Sequence, residues 1–186
     1  MAAFVALLRA VNVGGTGKLP MAELKALCVG LGLEQVRTYI QSGNVVFDST
    51  LSEGALAAKL TGVLSERIGK PIGVLVRTGA DLTRIVDANP FPAANPARVG
   101  VVFLPEPAPG HILADIPIPG DEEIQAVGRE VFIHFPDGMG RSKLKFSGML
   151  ATGTTRNMNT IRALAALAAD VPTPLRHGPI KSTAVR

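Results

Sequence analysis

Apolar and polar positions follow two different periods along the chain, and each change of period marks an element. FVALL (4–8) is an unbroken apolar run, the mark of a buried strand. PMAELKALCVGLG (20–32) switches to helical spacing, with Leu24, Leu27, Cys28 and Leu31 on one face. Pro20 suits the first turn, Glu23 the positive N-terminal end and Gly32 the stop. VRTYI (36–40) and NVVF (44–47) are two strands around QSG, where Ser-Gly supplies a tight hairpin turn. SEGALAAKLTGVLSERIG (52–69) is a helix capped by Ser52, with Leu56, Leu60, Val63, Leu64 and Ile68 inward. IGVLVR (72–77) returns to a strand. The order β-α-β-β-α-β predicts an α+β fold whose first half is ferredoxin-like.

The second half is strand-rich. ADLTRIVDAN (80–89) is a short helix stopped by NPFP (89–92), because the residue before a proline is pushed out of the helical region. RVGVVFL (98–104) is a strand, and the Pro-rich stretch 105–120 is a surface excursion. EIQAVG (123–128) and EVFIHF (130–135) alternate like a hairpin around Gly128 and Arg129. TRNMNTIRALAALAAD (155–170) leads into a helix, and 171–186 reads as a loose tail. The expected division is a subdomain over 1–78, a linker near 78–97 and a second α+β subdomain over 98–170. The second half has the look of an incomplete copy of the first, with no repeat visible residue by residue.

Composition narrows the classes. The 186 residues are 47% hydrophobic with seven Phe, one Tyr and no Trp, so the core is aliphatic. Cys28 is the single cysteine and permits no internal disulfide, which fits a reducing cytoplasm. MAAFVALLRAV lacks a basic leader, and Arg9 cuts its apolar run short; it reads as neither signal peptide nor membrane span. A cytoplasmic location and no membrane partner are the expectation. Charge is divided: residues 1–140 carry 11 Lys/Arg against 14 Asp/Glu, and 141–186 carry 8 against 1, so −3 and +7 sum to the net +4. That asymmetry points to an anionic partner.

Three polar clusters carry the candidate chemistry. LLRAVNVGGTGKLP (7–20) invites a phosphate-loop reading, but G-x-x-x-x-G-K-[ST] fails where Asn12 replaces the first glycine and Leu19 the hydroxyl. The dinucleotide pattern fails at Pro20. The predicted topology brings this loop and QSGN to the same end, where Arg9, Asn12, Gly14, Gly15, Lys18, Ser42, Gly43 and Asn44 suit an anion or polar ligand. The competing reading is that Asn12, Ser42 and Asn44 only satisfy turn backbones. The second cluster is PDGMGRSKLKF (136–146). If it is extended, Arg141, Lys143 and Lys145 share a face, with Ser142 and Leu144 opposite. In the third, Thr154, Thr155, Arg156, Asn157 and Asn159 crowd a helix start, a combination that suits phosphate. Catalytic signals are sparse. His111, His134 and His177 lack metal spacing, Cys28 sits on an apolar helix face, and there is no aromatic platform for stacking bases.

Taken together, LLRAVNVGG, TYIQSGNVVF, NPF, GRSKL and TTRNMNT resemble the bacterial family known as domain of unknown function 1697, over roughly residues 3–169. The resemblance implies compact cytoplasmic α+β proteins with no established activity. Members often carry tryptophan where this chain has Met158. The family motifs fall on Arg9, Asn12, Gly14, Gly15, Ser42, Gly43, Asn44, Arg141, Ser142, Lys143, Arg156 and Asn157. The first functional expectation is a module binding a phosphate-bearing ligand: nucleotide, cofactor or nucleic acid. The second is a metal-independent transferase or hydrolase in the same pocket, with Ser42 or Ser142 taking part and His134 beside Ser142 as its test. The third is a protein-interaction module using the basic face. No metal or cofactor is called for, and the oligomeric state is open.

Overall fold

A computed structural model describes residues 1–9, 11, 19–41, 43–111, 113–114 and 116–170. The tail over 171–186, His177 included, lies outside the described residues. The elements run β1 (Ala2–Leu8), α1 (Met21–Gly30), β2 (Glu34–Tyr39), β3 (Asn44–Ser49), α2 (Glu53–Ile68), β4 (Val74–Thr78) and α3 (Gly79–Asp87). They continue with β5 (Val99–Phe103), β6 (Glu123–Val127), β7 (Glu130–His134), β8 (Thr154–Asn157) and α4 (Met158–Ala169). The fold is mixed α+β, with two four-stranded antiparallel sheets ordered β2-β3-β1-β4 and β6-β7-β5-β8. Numbered within its own half, each sheet has the order second-third-first-fourth.

The correspondence extends to register. In the first sheet Leu7 pairs with Asn44 and Val5 with Arg77; in the second Phe103 pairs with Glu130 and Val101 with Arg156. Each fourth strand runs directly into a helix. Thr78 caps α3 with a reciprocal box to Asp81, and the Asn157 side chain caps α4 by accepting from Thr160 N at 2.9 Å. The halves differ in their crossovers. Where α1 and α2 cover the first sheet, the second has irregular chain, because the prolines at 105, 107, 109, 117 and 119 fix φ and remove donors.

Burial explains the sequence pattern. On β1, Phe4, Ala6 and Leu8 pack against α1 and α2 with Leu24, Cys28, Leu56 and Leu60. Val5 and Leu7 face the opposite core, shared with Leu82, Ile85, Phe103, Phe132, Ile161 and Leu164. A strand buried on both faces has no polar positions to alternate, hence the unbroken run. Met158 is fully buried in this middle core, where its flexible side chain is a space filler. A third core lies under the irregular segments and contains Val102, Leu104, Val131, Ile133, Phe135 and Leu150.

Two local expectations are corrected. Residues 154–157 are the edge strand β8 and not the entry of a helix: β-branched Thr154 and Thr155 pair with Phe103 and Val102, and the helix begins only after Asn157. The QSG turn is longer than a two-residue hairpin. The chain leaves β2 at Tyr39 and re-enters at Asn44, with Ile40 (φ 49°) and Gly43 (φ 77°) both left-handed.

Candidate functional site

The first and third clusters meet. Arg156 projects from β8 into the end of the first sheet, where Nε donates to Asn44 Oδ1 at 2.6 Å and Nη2 to the Leu8 carbonyl at 2.8 Å. Nη1 donates to Thr154 Oγ1 and the Thr155 carbonyl, both at 2.8 Å, and a longer 3.5 Å contact runs from Nη2 to Gly43 O. Burial pulls the Arg156 pKa down from 12.5 to about 10, so the group is still cationic at pH 7. Asn44 is fully buried and turns its amide back to the Tyr39 carbonyl at 3.0 Å. Gly43 has no alternative: its φ is left-handed, and a Cβ there would lie 2.9 Å from Leu8 Cβ. Arg9 is exposed, with its backbone N–H donating to Gly73 O at 2.9 Å. Asn12, Gly14, Gly15, Lys18 and Ser42 lie outside the described residues.

A second arginine junction escaped the sequence reading. Arg77, on β4, is 1% exposed; its Nε donates to Glu130 Oε1 at 2.8 Å, Nη2 to the Leu104 carbonyl at 2.6 Å and Nη1 to the Val76 carbonyl at 2.9 Å. This matches Arg156 nitrogen by nitrogen: Nε to the first residue of the third strand, Nη2 to a carbonyl at the end of the first strand (Leu8) or one residue past it (Leu104), Nη1 to the preceding carbonyl. The Leu8 N–H bond to Gly43 O (2.9 Å) has its counterpart in Leu104 N–H to Arg129 O (2.8 Å). Arg77 Nη1 also lies 3.7 Å from Glu53 Oε1, and Arg129 holds that carboxylate with bonds of 2.5 and 3.3 Å. The bond to Glu53 raises the Arg129 pKa further. The signal that could have revealed the pair is an arginine one residue before a helix cap, in VRTG and in TRNM.

The second cluster stands apart. Arg141, Ser142 and Lys143 follow β7 and line a cleft of about 200 Å³ with Asp121, Glu122 and Asp137. The Ser142 hydroxyl donates to the Glu122 carboxylate and accepts from Leu144 N–H at 3.1 Å. The hydroxyl's hydrogen bond holds the Glu122 carboxyl below its ordinary pKa, which makes it a weaker base. His134 turns elsewhere, with Nδ1 3.1 Å from Glu123 Oε1 and its ring 5.7 Å from Phe91. The His134–Ser142 pairing expected of a hydrolase is therefore not formed. Burial lifts the Cys28 thiol to about 12, far from a nucleophile's range. Among the described residues no group of three or more His, Cys, Asp or Glu is placed to hold a metal ion, and no helix is long and apolar enough to cross a membrane.

A two-sheet α+β protein joined by paired buried arginines is the class these features define. The chain belongs to the family described as protein of unknown function DUF1697, whose pattern matches residues 1–132. A solved structure of a conserved bacterial protein from Streptococcus pneumoniae is similar over 90% of this chain and 98% of its own, at 24% identity and a TM-score of 0.72. At that identity the likeness speaks for the fold alone. No curated protein matches the chain.

Proposed function

We propose that this protein is a binding module for a phosphate-bearing ligand, met by the basic row Arg141, Lys143 and Lys145. The observation that carries the reading is the alternation of exposure: the three cations are exposed, while Ser142 and Leu144 between them and Phe146 after them are half-buried. Leu144 and Phe146 pack against the third core, so the row is anchored rather than free to collapse. Cations spaced along a fixed segment suit successive phosphates of a chain better than one isolated group. Asp121, Glu122 and Asp137 line the cleft that Arg141 and Lys143 also border, so the phosphates are expected on the side of the row away from that cleft. Among nucleotide, cofactor and nucleic acid, this favours nucleic acid held by its backbone. We also read the first sheet with α1 and α2 as ferredoxin-like, supported by its strand order, and keep 1–78 and 98–170 as its two subdomains. A cytoplasmic location belongs to the same reading, supported by the buried free thiol.

Fluorescence anisotropy of labelled DNA and RNA oligomers at graded salt tests the function. Three phosphate contacts predict a log–log salt slope of about −2 to −3. The triple change Arg141→Ala, Lys143→Ala, Lys145→Ala should abolish binding. No binding at low salt, or a slope near zero, would sink the proposal.

A further inference from the structure

The matching halves treat the space beside their terminal helices differently. Next to α4, among the described residues, side chains of β2 reach across that space. Tyr39 packs into the middle core, and Arg37 Nη2 donates to the Leu167 carbonyl at 2.8 Å. The registers and helix caps give the counterparts in the other half. Val127 stands where Tyr39 does, Gln125 where Arg37 does, and Ala88 where Leu167 does. Each closing side chain is replaced by a shorter one. What results is an open cleft of about 410 Å³ between α3 and the β6–β7 turn.

The geometry points to this cleft as a binding site for a small organic anion, one with an apolar or aromatic body and a carboxylate or phosphate head. Its volume falls within the range of small-molecule sites. Ile85, Val127 and Phe132 supply apolar wall, and Arg84 and Arg129 supply the positive rim. Among the described residues Arg84 is ion-paired with Asp81 alone, one turn back on its own helix, and its side chain is 75% exposed. Such a pair is a weak competitor for a ligand. Asp81 keeps its bonds from Thr78 N–H and Oγ1, at 3.0 and 2.7 Å, when Arg84 turns away. Arg129 holds Glu53 through its two terminal nitrogens, which leaves Nε–H directed elsewhere. Glu130, the other carboxylate in the cleft, is held by Arg77. The site lies at the start of β7, whereas the basic row follows its end, so the two proposals stand or fall separately.

The test is a titration of the full chain with benzoate, phenyl phosphate and the neutral benzamide, read by backbone amide chemical shifts and thermal melting. Dissociation constants on the order of 1 mM are expected for the better anion, with shifts confined to α3 and the β6–β7 turn. Benzamide should bind at least about tenfold more weakly, one decade being the step a single charge-assisted contact supplies. Stronger binding of benzoate assigns a carboxylate ligand, and stronger binding of phenyl phosphate a phosphate. Arg84→Ala, on the surface, should weaken both anions without lowering the melting temperature. Val127→Tyr should block the cleft as Tyr39 does in the other half. Equal binding of benzamide, unchanged binding in either variant, or no shift with any probe would overturn the inference.

Discussion

Replacing Arg156 with methionine keeps most of the side chain's bulk and removes its donors. Asn44 Oδ1 and the Leu8 carbonyl then lose bonds of 2.6 and 2.8 Å in buried surroundings, and Thr154 Oγ1 loses one of 2.8 Å. A buried acceptor stripped of its partner costs about 1–3 kcal/mol, and less at the Leu8 carbonyl, which keeps a 3.4 Å bond from the Thr154 hydroxyl. Relief of the burial that depresses the arginine's pKa offsets part of this. The net loss should be about 2–5 kcal/mol, and a chain of this size melts about 2–4 °C lower per kcal/mol. Urea denaturation at pH 7, followed by circular dichroism, should show a lower midpoint with an unchanged slope. Arg156→Ala should lose more because it also opens a cavity. Oligonucleotide binding by whatever fraction stays folded should be untouched. A loss below about 0.5 kcal/mol would refute the idea that Arg156 holds the sheets together. Lost binding at unchanged stability would return it to the list of ligand residues.

Arg77→Met should cost more than Arg156→Met, about 3–5 kcal/mol, because it leaves the Glu130 carboxylate buried and unpaired. Adding Glu130→Gln should restore part of that loss in the same denaturation assay. Cys28 should resist iodoacetamide in the native protein. At pH 8 a thiol with a pKa of about 12 is ionised to roughly one part in ten thousand, and reaction on addition of urea should be fast. Ser142→Ala should move the Glu122 carboxyl pKa upward, visible by carbon NMR titration. Glu122 is depressed in the folded state, so its stabilising effect is complete above the unfolded value of 4.5 and fades as pH falls through the lower folded value. In Ser142→Ala that acid-side loss should become smaller, because the folded value moves back towards the unfolded one.

Elements with local causes were readable in advance. Ser52 accepts from Ala55 N–H at 3.3 Å, as an N-cap should, and the inward leucines of α2 are those of its helical spacing. The polar clusters QSGN and TTRN were also visible. Their bond to each other was not, because Asn44 and Arg156 are 112 residues apart. Arg77 was invisible for a related reason. A lone cation in an apolar strand looks like an edge residue until Glu130, 53 positions later, is folded against it. The strand at 154–157 does not show in the sequence, because its polar residues pair with apolar β5, a partner that no local period reveals. Hydroxyls, amides and an arginine grouped together look alike in sequence whether they bind a ligand or bind one another.

The two arginine junctions cross over. Arg77 is carried by the first half and closes the strand ends of the second; Arg156 is carried by the second and closes those of the first. Cut between α3 and β5, each piece would keep an arginine stripped of its partners in the other half and strand ends without the arginine that closes them. Neither piece contains its own keystone, so separated they should be poorly ordered, and mixed they should rebuild one molecule. Unfolding of the intact chain should accordingly pass through a single cooperative transition, because opening one half strips a clasp from the other.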